Sequence, residues 1–378
     1  MRAIMLAFAS VFAAATPAAA DYMVKEVGSF HVGGRTETLT GLPVKEIVFS
    51  PGAPPIKVDP NGEFEVEQMY VQYVKLAQPK GRVPLLLWHG GGLSGVTWET
   101  KPDGKPGWQQ FFLNAGYDTY VSDAVERGRA SWARYPEIFK GEPFFRAKKE
   151  AWELFRIGPT YEVGGKREAF EGQQFPIEAF DQFGKQGIPR WATNDAATQK
   201  AYDALVQKVC PCIIVVHSQG GNFGFTAALN APDKVKALIV VEPSGAPDPA
   251  TADAAKLKGV PHLIVWGDNI DKHVVWPRLV VNPIKWAQAI TAAGGKLKGV
   301  PHFVVWGDFI AQSALWTRFV PASQGYLDAL RKEGGVGDWW ELPKLGVTGN
   351  THMLMMDTNS DQIAQMIQKW MTEKGLML

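Results

Sequence analysis

The sequence predicts the α/β class with a mostly parallel, doubly wound sheet, and two observations support this prediction. Strand patterns at residues 83–88, 118–122, 212–216 and 235–241 alternate with helix-compatible segments at 107–115, 194–208 and 222–231. The strands at 83–88 and 212–216 are almost entirely apolar, as expected where helices cover both faces of a parallel sheet. The length of 378 residues fits one large domain of this kind.

The segments before and after this core complete the predicted sheet. Short β-prone runs at 24–32, 46–49 and 68–76 are separated by Gly and Pro turns, which predicts antiparallel strands at one edge. A strand at 339–342 and a helix at 360–374 close the chain. We therefore expect one domain over residues 21–378.

Residues 130–195 break the alternation of strands and helices. Aromatic residues are dense in this segment, Pro and Gly recur, and the segment is too long for a plain connection. We predict an inserted lid over the C-terminal edge of the sheet. The alternative is an ordinary helical crossover with a well-packed core.

An internal repeat follows. Residues 256–262 return unchanged as 296–302, and the similarity extends over the two copies 256–295 and 296–335. Each copy has the pattern of one strand followed by one helix. The tandem-duplicated strand-helix unit is therefore expected to add one strand to the parallel sheet through a right-handed crossover.

The first twenty residues have the pattern of a secretory signal peptide. Arg2 supplies a positive start, residues 4–15 are apolar, and Ala18, Ala19 and Ala20 offer a small-residue cleavage site. Cleavage after Ala20 would leave a periplasmic or secreted protein. No later apolar run reaches the ~20 residues that span a bilayer, so no membrane partner is expected.

Charge and cysteine content exclude several functions. The formal net charge is +1 and no Lys/Arg cluster occurs, which argues against a nucleic-acid partner. Cys210 and Cys212 are the two cysteines. On an extended strand their Cα atoms would lie near the upper limit for a bridge, so we favour two packed thiols over a disulfide. Two thiols do not supply the four ligands of a zinc site, and no metal or cofactor is expected.

The strand at 212–216 runs directly into His217, Ser218 and Gln219, followed by Gly220 and a helix pattern. This layout predicts a nucleophile elbow, the sharp turn that presents a Ser oxygen at the top of an α/β-hydrolase sheet. Val216 stands at the first position of the usual G-x-S-x-G pattern. Ser218 is the predicted nucleophile.

The base must follow Ser218, because the chain order in this fold is Ser, acid, His. His262 and His302 begin predicted strands and therefore lie at the wrong end of the sheet, since catalytic groups collect at the C-terminal ends of strands. His273 and His352 remain. We favour His352, on a loop after the last strand.

The acid has three candidates. The usual position, three residues after a Gly that follows the seventh strand, holds Ile270 in one repeat copy and Ile310 in the other. Glu242 ends the preceding strand, and its longer side chain extends its reach, so we favour Glu242 with Asp308 and Asp271 as alternatives.

Two backbone N–H groups are expected to bind the oxyanion. One belongs to Gln219, after the nucleophile, and the other to the Gly-rich loop at 90–92, after an apolar strand. We choose Gly91, with Gly92 next. A Gly-rich turn without a catalytic role is the alternative, whereas phosphate binding is disfavoured because no Lys-Ser/Thr pair follows.

Several longer motifs add to the elbow. They are G-S-F-H-V-G-G at 28–34, H-G-G-G-L-S-G at 89–95, T-W-E-T at 97–100, H-S-Q at 217–219, V-E-P at 241–243 and G-N-T-H-M at 349–353. With these motifs the chain resembles α/β-hydrolase esterases, and most closely the secreted bacterial esterases of the Alcaligenes type. The resemblance implies Ser218 as nucleophile, His352 as base and Glu242 as acid.

The sequence departs from this family in two places. Gly91 and Gly92 stand where the family type carries adjacent cysteines, and the strand-seven unit is present twice. Because the second copy continues into the family-like ending, we interpret the first copy as the insertion.

The expected activity is that of a secreted serine carboxylesterase, which hydrolyses a carboxylic ester through an acyl-enzyme. The expected partner is a small-molecule ester, apolar or aromatic in view of the predicted lid, and a homodimer stays open. The alternatives are a lactone or amide hydrolase with the same residues and a non-catalytic hydrolase-like binding module.

Overall fold

A computed structural model describes residues 22–132, 134–242, 262–265, 302–306 and 337–378. The predicted signal peptide at 1–20 lies outside these residues. So do the alternative base His273 and the alternative acids Asp271 and Asp308.

The described chain contains the strands predicted along it and the three helices predicted at 107–115, 194–208 and 222–231, and it adds elements that were not predicted, among them Ile56–Val58 and Val96–Glu99. The strands are β1 (Val24–Leu39), β2 (Lys45–Ile47), β3 (Ile56–Val58), β4 (Gly62–Leu76), β5 (Leu85–Trp88), β6 (Thr119–Asp123), β7 (Thr160–Tyr161), β8 (Arg167–Glu168), β9 (Cys212–His217), β10 (Val235–Val241), β11 (His262–Val265), β12 (His302–Trp306) and β13 (Gly337–Glu341). The helices are α1 (Val96–Glu99), α2 (Trp108–Asn114), α3 (Lys148–Leu154), α4 (Phe180–Gly184), α5 (Asp195–Val209), α6 (Gly220–Asn230) and α7 (Ser360–Glu373), with 3-10 turns at Ile177–Ala179 and Pro343–Leu345.

In the described part of the chain, one mixed sheet has the strand order β1-β4-β6-β5-β9-β10-β11-β12-β13. Pairing is antiparallel from β1 through β6 and parallel from β6 to β13. The prediction of a mostly parallel sheet with antiparallel strands at one edge is confirmed.

Both faces of the sheet are buried, as the apolar strand sequences predicted. On β9, Ile214 and Val216 belong to the core cluster that includes residues of α5 and α6. Ile213 and Val215 point to the opposite face, where the cluster includes residues of α2, α3, α4 and α7. Successive side chains of a strand alternate between faces, so an uninterrupted apolar run needs helices on both sides.

The first strand is longer than predicted. We expected it to end at residue 32, but β1 continues to Leu39 in register with β4. Gly33 and Gly34 have φ angles of +71° and +88°, values that glycine adopts without steric cost. The glycines therefore carry the strand onward instead of ending it.

The strands of the two repeat copies lie side by side. β11 pairs in parallel with β10 and with β12, and His262 is opposite His302 in the register. The two copies therefore contribute adjacent strands, both beginning at the repeated histidine.

The aromatic segment 130–195 contains α3, α4 and two short strands. Most of the buried aromatic side chains in this segment belong to one core cluster. They include Trp152, Phe155, Phe175, Phe180 and Phe183. Other aromatic side chains of the segment stay exposed: Trp132, Tyr135, Phe144 and Phe145. Its role as a lid stays a prediction.

The expectation of two packed thiols is wrong. Cys210 and Cys212 form a disulfide, and their Cα atoms lie only 4.4 Å apart. Cys210 follows the last residue of α5 and Cys212 begins β9, so the chain bends at Pro211 instead of running extended. The bend brings the two Cα atoms to bridging distance.

Candidate active site

Ser218 lies at the sharp turn between β9 and α6. Its φ angle is +52°, a left-handed conformation that costs a non-glycine residue free energy and recurs at functional sites. The Ser218 N–H donates to the Val241 carbonyl at 2.9 Å. A Cβ atom on Gly220 would come 2.9 Å from the His89 carbonyl oxygen, so a glycine here lets the helix start against the end of β5.

His352 and Glu242 come together although 110 residues separate them. The His352 Nδ1–H donates to Glu242 Oε2 at 3.0 Å, and both side chains are fully buried. Glu242 directly follows β10 with a φ angle of +51°. The backbone at the end of this strand is therefore turned in the same unusual way as at Ser218, one strand away.

Arg156 binds the other side of the Glu242 carboxylate. Its Nη1 and Nη2 atoms donate to Oε2 and Oε1 at 2.8 and 2.7 Å, and neither side chain is exposed. A bidentate pair of this kind fixes the plane of the carboxylate. Arg156 also has a positive φ angle, of 57°. Three of the five non-glycine residues with positive φ in the described chain are thus Ser218, Glu242 and Arg156.

Sequence reasoning missed Arg156. It follows helix α3 as a single Arg in an aromatic segment, and a lone Arg is more often a surface residue. Its partner lies 86 residues away. No local pattern could have identified the pair, because it depends on where the segment 130–195 returns to the sheet.

The loop that carries His352 is held by Asp357. The Asp357 carboxylate accepts hydrogen bonds from Asn350 Nδ2 at 3.0 Å, from the Thr351 N–H at 2.8 Å and from Thr351 Oγ1 at 2.7 Å. Burial raises the pKa of Asp357 to about 7, although these hydrogen bonds oppose the shift. Asp357 was not a candidate in the sequence.

His352 is enclosed by two rings. Phe155 stacks on it with ring centroids 5.4 Å apart, and His217 lies on another side at 4.6 Å. The Phe155 carbonyl accepts from the His352 N–H at 3.0 Å, while His217 Nε2–H donates to the His352 carbonyl at 3.0 Å. Burial, then the charges of Arg156 and Arg146, hold the pKa of His352 well below its usual value. The ring is therefore neutral and can accept a proton.

The glycine loop lies against the elbow, as the oxyanion prediction requires. A Cβ atom on Gly90 would come 2.9 Å from the Cβ of Ser218, and one on Gly91 would come 2.9 Å from Gln219 Oε1. Gln219 is held in turn by a hydrogen bond from its Nε2 to Asp195 at 3.1 Å. The structure thus brings Gly91 and Gln219 together beside Ser218.

His89, at the start of this loop, is a structural residue. It donates from Nδ1 to the Gly90 carbonyl at 2.8 Å and accepts at Nε2 from the Ala124 N–H at 3.0 Å. Burial lowers its pKa to about 4. A neutral His89 therefore ties the glycine loop to the end of β6.

The described residues contain neither of two further kinds of site, a metal centre and a membrane span. They hold no group of three or more His, Cys, Asp or Glu side chains arranged to bind a metal ion. No helix among them is long and apolar enough to cross a membrane.

Known proteins resemble the chain over most of its length. A solved structure described as that of a novel bacterial esterase at atomic resolution has 30% sequence identity and a TM-score of 0.69, and the match covers 94% of this chain and 97% of that one. A curated protein described as "Probable secreted lipase phiG", from a fungal species (strain ATCC 74256), is 26% identical over 342 residues, covering 83% of this chain and 88% of that protein. No family model matches.

Proposed function

The chain belongs to the family of bacterial esterases with the α/β-hydrolase fold, and on this premise we propose that it hydrolyses carboxylic esters through an acyl-enzyme formed on Ser218. His352 is the general base and Glu242 the acid that orients it. The observation that carries the proposal is the 3.0 Å hydrogen bond between His352 Nδ1 and Glu242, beside the strained turn at Ser218.

In the first half of the reaction, Ser218 Oγ attacks the ester carbonyl carbon and its proton passes to His352 Nε2. The tetrahedral intermediate places a negative charge on the former carbonyl oxygen, which the N–H groups of Gly91 and Gln219 bind. The intermediate collapses, the C–O bond breaks, and the alcohol leaves with the proton from His352.

In the second half, water attacks the acyl-enzyme. His352 accepts a proton from the water, a second tetrahedral intermediate forms, and the proton returns to Ser218 as the carboxylic acid leaves. Glu242 keeps the Nδ1 proton on the ring, so that Nε2 is the atom that accepts. The low pKa of His352 supports this role, because the free base stays neutral in mildly acidic solution.

The test uses a panel of nitrophenyl esters and a fluorophosphonate probe. Wild type should hydrolyse several esters and be labelled, while Ser218→Ala should lose at least about 10⁴-fold in kcat and all labelling. The exposed Ser50→Ala is the matched control and should behave as wild type. Labelling that survives in Ser218→Ala would refute the assignment of the nucleophile.

The place of action is part of the same proposal. The signal-peptide pattern at 1–20, the disulfide and the likeness to a protein described as a probable secreted lipase support a periplasmic or secreted enzyme. Expression in a bacterial host with the native N-terminus should yield a mature protein that begins at Asp21, found outside the cytoplasm. A cytoplasmic protein that keeps Met1 would contradict this.

A further inference from the structure

We propose that the preferred substrate is an ester that carries a carboxylate near its scissile bond, bound by Arg146 and Arg190 beside the oxyanion loop; this rests on the proposed ester hydrolysis at Ser218. A Cβ atom on Gly91 would come 3.1 Å from Arg190 Nη1, and one on Gly92 would come 3.9 Å from Arg146 Nε. Both guanidinium groups therefore border the loop that packs against Ser218.

Arg146 also reaches the proposed base. Its guanidinium lies over the ring of Phe155, 5.8 Å from the centroid, and this ring stacks on His352. The charge of Arg146 contributes to the low pKa of His352. Arg146 therefore borders both the glycine loop and the ring that stacks on the proposed base, while Arg190 borders the glycine loop.

A third arginine, Arg127, lies close enough to Arg190 for their charges to interact. Arg127 is only 4% exposed. Burial and then the charge of Arg190 lower its pKa to about 10. Arg190 also lowers the pKa of Arg146, after the larger effect of burial. The charge of Arg190 thus lies close enough to repel those of Arg127 and Arg146, which costs free energy unless an anion compensates it.

Among the residues that the structure describes, the charges of the three arginines are only partly compensated. Arg146 pairs with the exposed Glu150. Asp195 lies near enough to raise the pKa of Arg127, but its carboxylate bonds to Gln219. Arg190 forms no ion pair with any residue that the structure describes.

Each of the three guanidinium groups has one donor that is left unsatisfied by the described residues. Within the described chain, Arg127 Nη1, Arg146 Nε and Arg190 Nε are buried and lack a hydrogen-bond partner. Buried donors of a charged group are costly to leave unpaired. A carboxylate matches the planar, forked donors of arginine, and the face of Phe144, 5.3 Å from Arg146, would contact the apolar part of such a substrate.

The test compares esters that differ only in the carboxylate. Monoethyl and diethyl glutarate place the carboxylate on the acyl side, while 4-acetoxybenzoate and its methyl ester place it on the alcohol side. At low ionic strength, kcat/KM of the wild type should be higher for the carboxylate-bearing ester than for its neutral counterpart in at least one of the two pairs. Arg190→Gln and Arg146→Gln should lower the anion-to-neutral ratio by about 10- to 100-fold, the effect of losing one charge-assisted hydrogen bond.

Two further variants make the result specific. Arg190→Lys keeps the charge and should restore part of the ratio, and Arg35→Gln, on the edge strand β1, should leave both rates as in wild type. If neutral esters are hydrolysed in a Ser218-dependent way but neither pair favours the anion, or Arg190→Gln leaves the ratio unchanged, the carboxylate proposal is overturned while ester hydrolysis stands. If Ser218→Ala leaves all rates unchanged, the proposed function itself fails.

Discussion

Arg156 and Glu242 form a fully buried, bidentate ion pair, with N–O distances of 2.8 and 2.7 Å. The same carboxylate accepts the hydrogen bond from His352. Glu242 therefore binds both a permanently charged guanidinium and a neutral imidazole. The pair connects the aromatic segment 130–195 to the end of β10. It also places the positive charge of Arg156 close to His352.

Arg156→Gln should move the acid limb of kcat/KM to higher pH. Burial lowers the pKa of His352 most, and the charge of Arg156 lowers it further. Removal of Arg156 exposes the imidazole to the uncompensated charge of Glu242 and therefore raises that pKa. The base is then protonated, and inactive, at a pH where the wild type still works. The measurement is a pH–rate profile with a neutral ester.

The same substitution leaves a buried carboxylate without its cation, which should cost about 3–5 kcal/mol of unfolding free energy. Arg156→Lys keeps the charge, so its acid limb should stay closer to that of wild type if the Gln variant is too unstable to assay. Arg167→Gln, in the same segment but paired with the exposed Asp181, is the control. An acid limb that moves to lower pH in Arg156→Gln would contradict the electrostatic explanation.

Glu242→Gln should reduce kcat by up to about 10⁴-fold, because an amide can hold the wrong tautomer of His352. Asp271→Asn and Asp308→Asn should cost far less. Steady-state kinetics on one nitrophenyl ester compares the three variants directly. If Asp308→Asn loses activity while Glu242→Gln stays active, the acid is Asp308, in the second repeat copy, and not Glu242.

Substitutions in the glycine loop should differ in a predictable order. A methyl group on Gly90 would meet the Cβ of Ser218 at 2.9 Å and His217 Nδ1 at 2.7 Å, whereas on Gly91 it would meet only the far ends of two long side chains, those of Gln219 and Arg190. Gly90→Ala should therefore reduce kcat more than Gly91→Ala. We expect the Gly90 variant to lose about 10²-fold or more in kcat, because its clash would move the loop and displace an oxyanion donor.

Gly141→Ala, which has open space around it, is the control for both loop variants. Kinetics and a thermal unfolding transition would be measured for each protein. Equal rates for the Gly90 and Gly91 variants would show that the loop adapts around Ser218, contrary to the packing.

Deleting residues 256–295 should leave a folded enzyme. β11 pairs with β10 and, in matching register, with β12, and residues 296–302 repeat 256–262. After the deletion, β12 can take the place of β11 beside β10. We expect soluble protein with a cooperative thermal transition and measurable ester hydrolysis.

Deletion of residues 296–335 is the matched control and should be worse tolerated, because the second copy leads into β13 and the loop of His352. Complete loss of soluble protein in the first deletion would refute the interpretation of the first copy as the insertion.

Much of the fold could be predicted from local sequence. The runs that became β5, β9 and β10 are continuous and apolar, which is sufficient to indicate buried parallel strands. The ends of strands could be predicted less accurately. The first strand was expected to end before Gly33 and Gly34, because paired glycines are typical of a turn, but β1 continues through both. The bridge between Cys210 and Cys212 was misjudged for a similar reason, because the bend at Pro211 brings Cα atoms closer than an extended strand would.

The sequence by itself determined the mostly parallel sheet, the turn at Ser218 and the choice of His352 and Glu242 as candidates, because chain order and strand ends constrain where such residues can lie. Only the tertiary structure decided that Arg156 neutralises Glu242, that Asp357 holds the His352 loop and that Arg146 and Arg190 border the glycine loop. These contacts join residues that are distant in sequence or carried on irregular segments. The geometry of the arginine contacts depends on how the segment 130–195 packs against the sheet, and no periodic pattern records that packing.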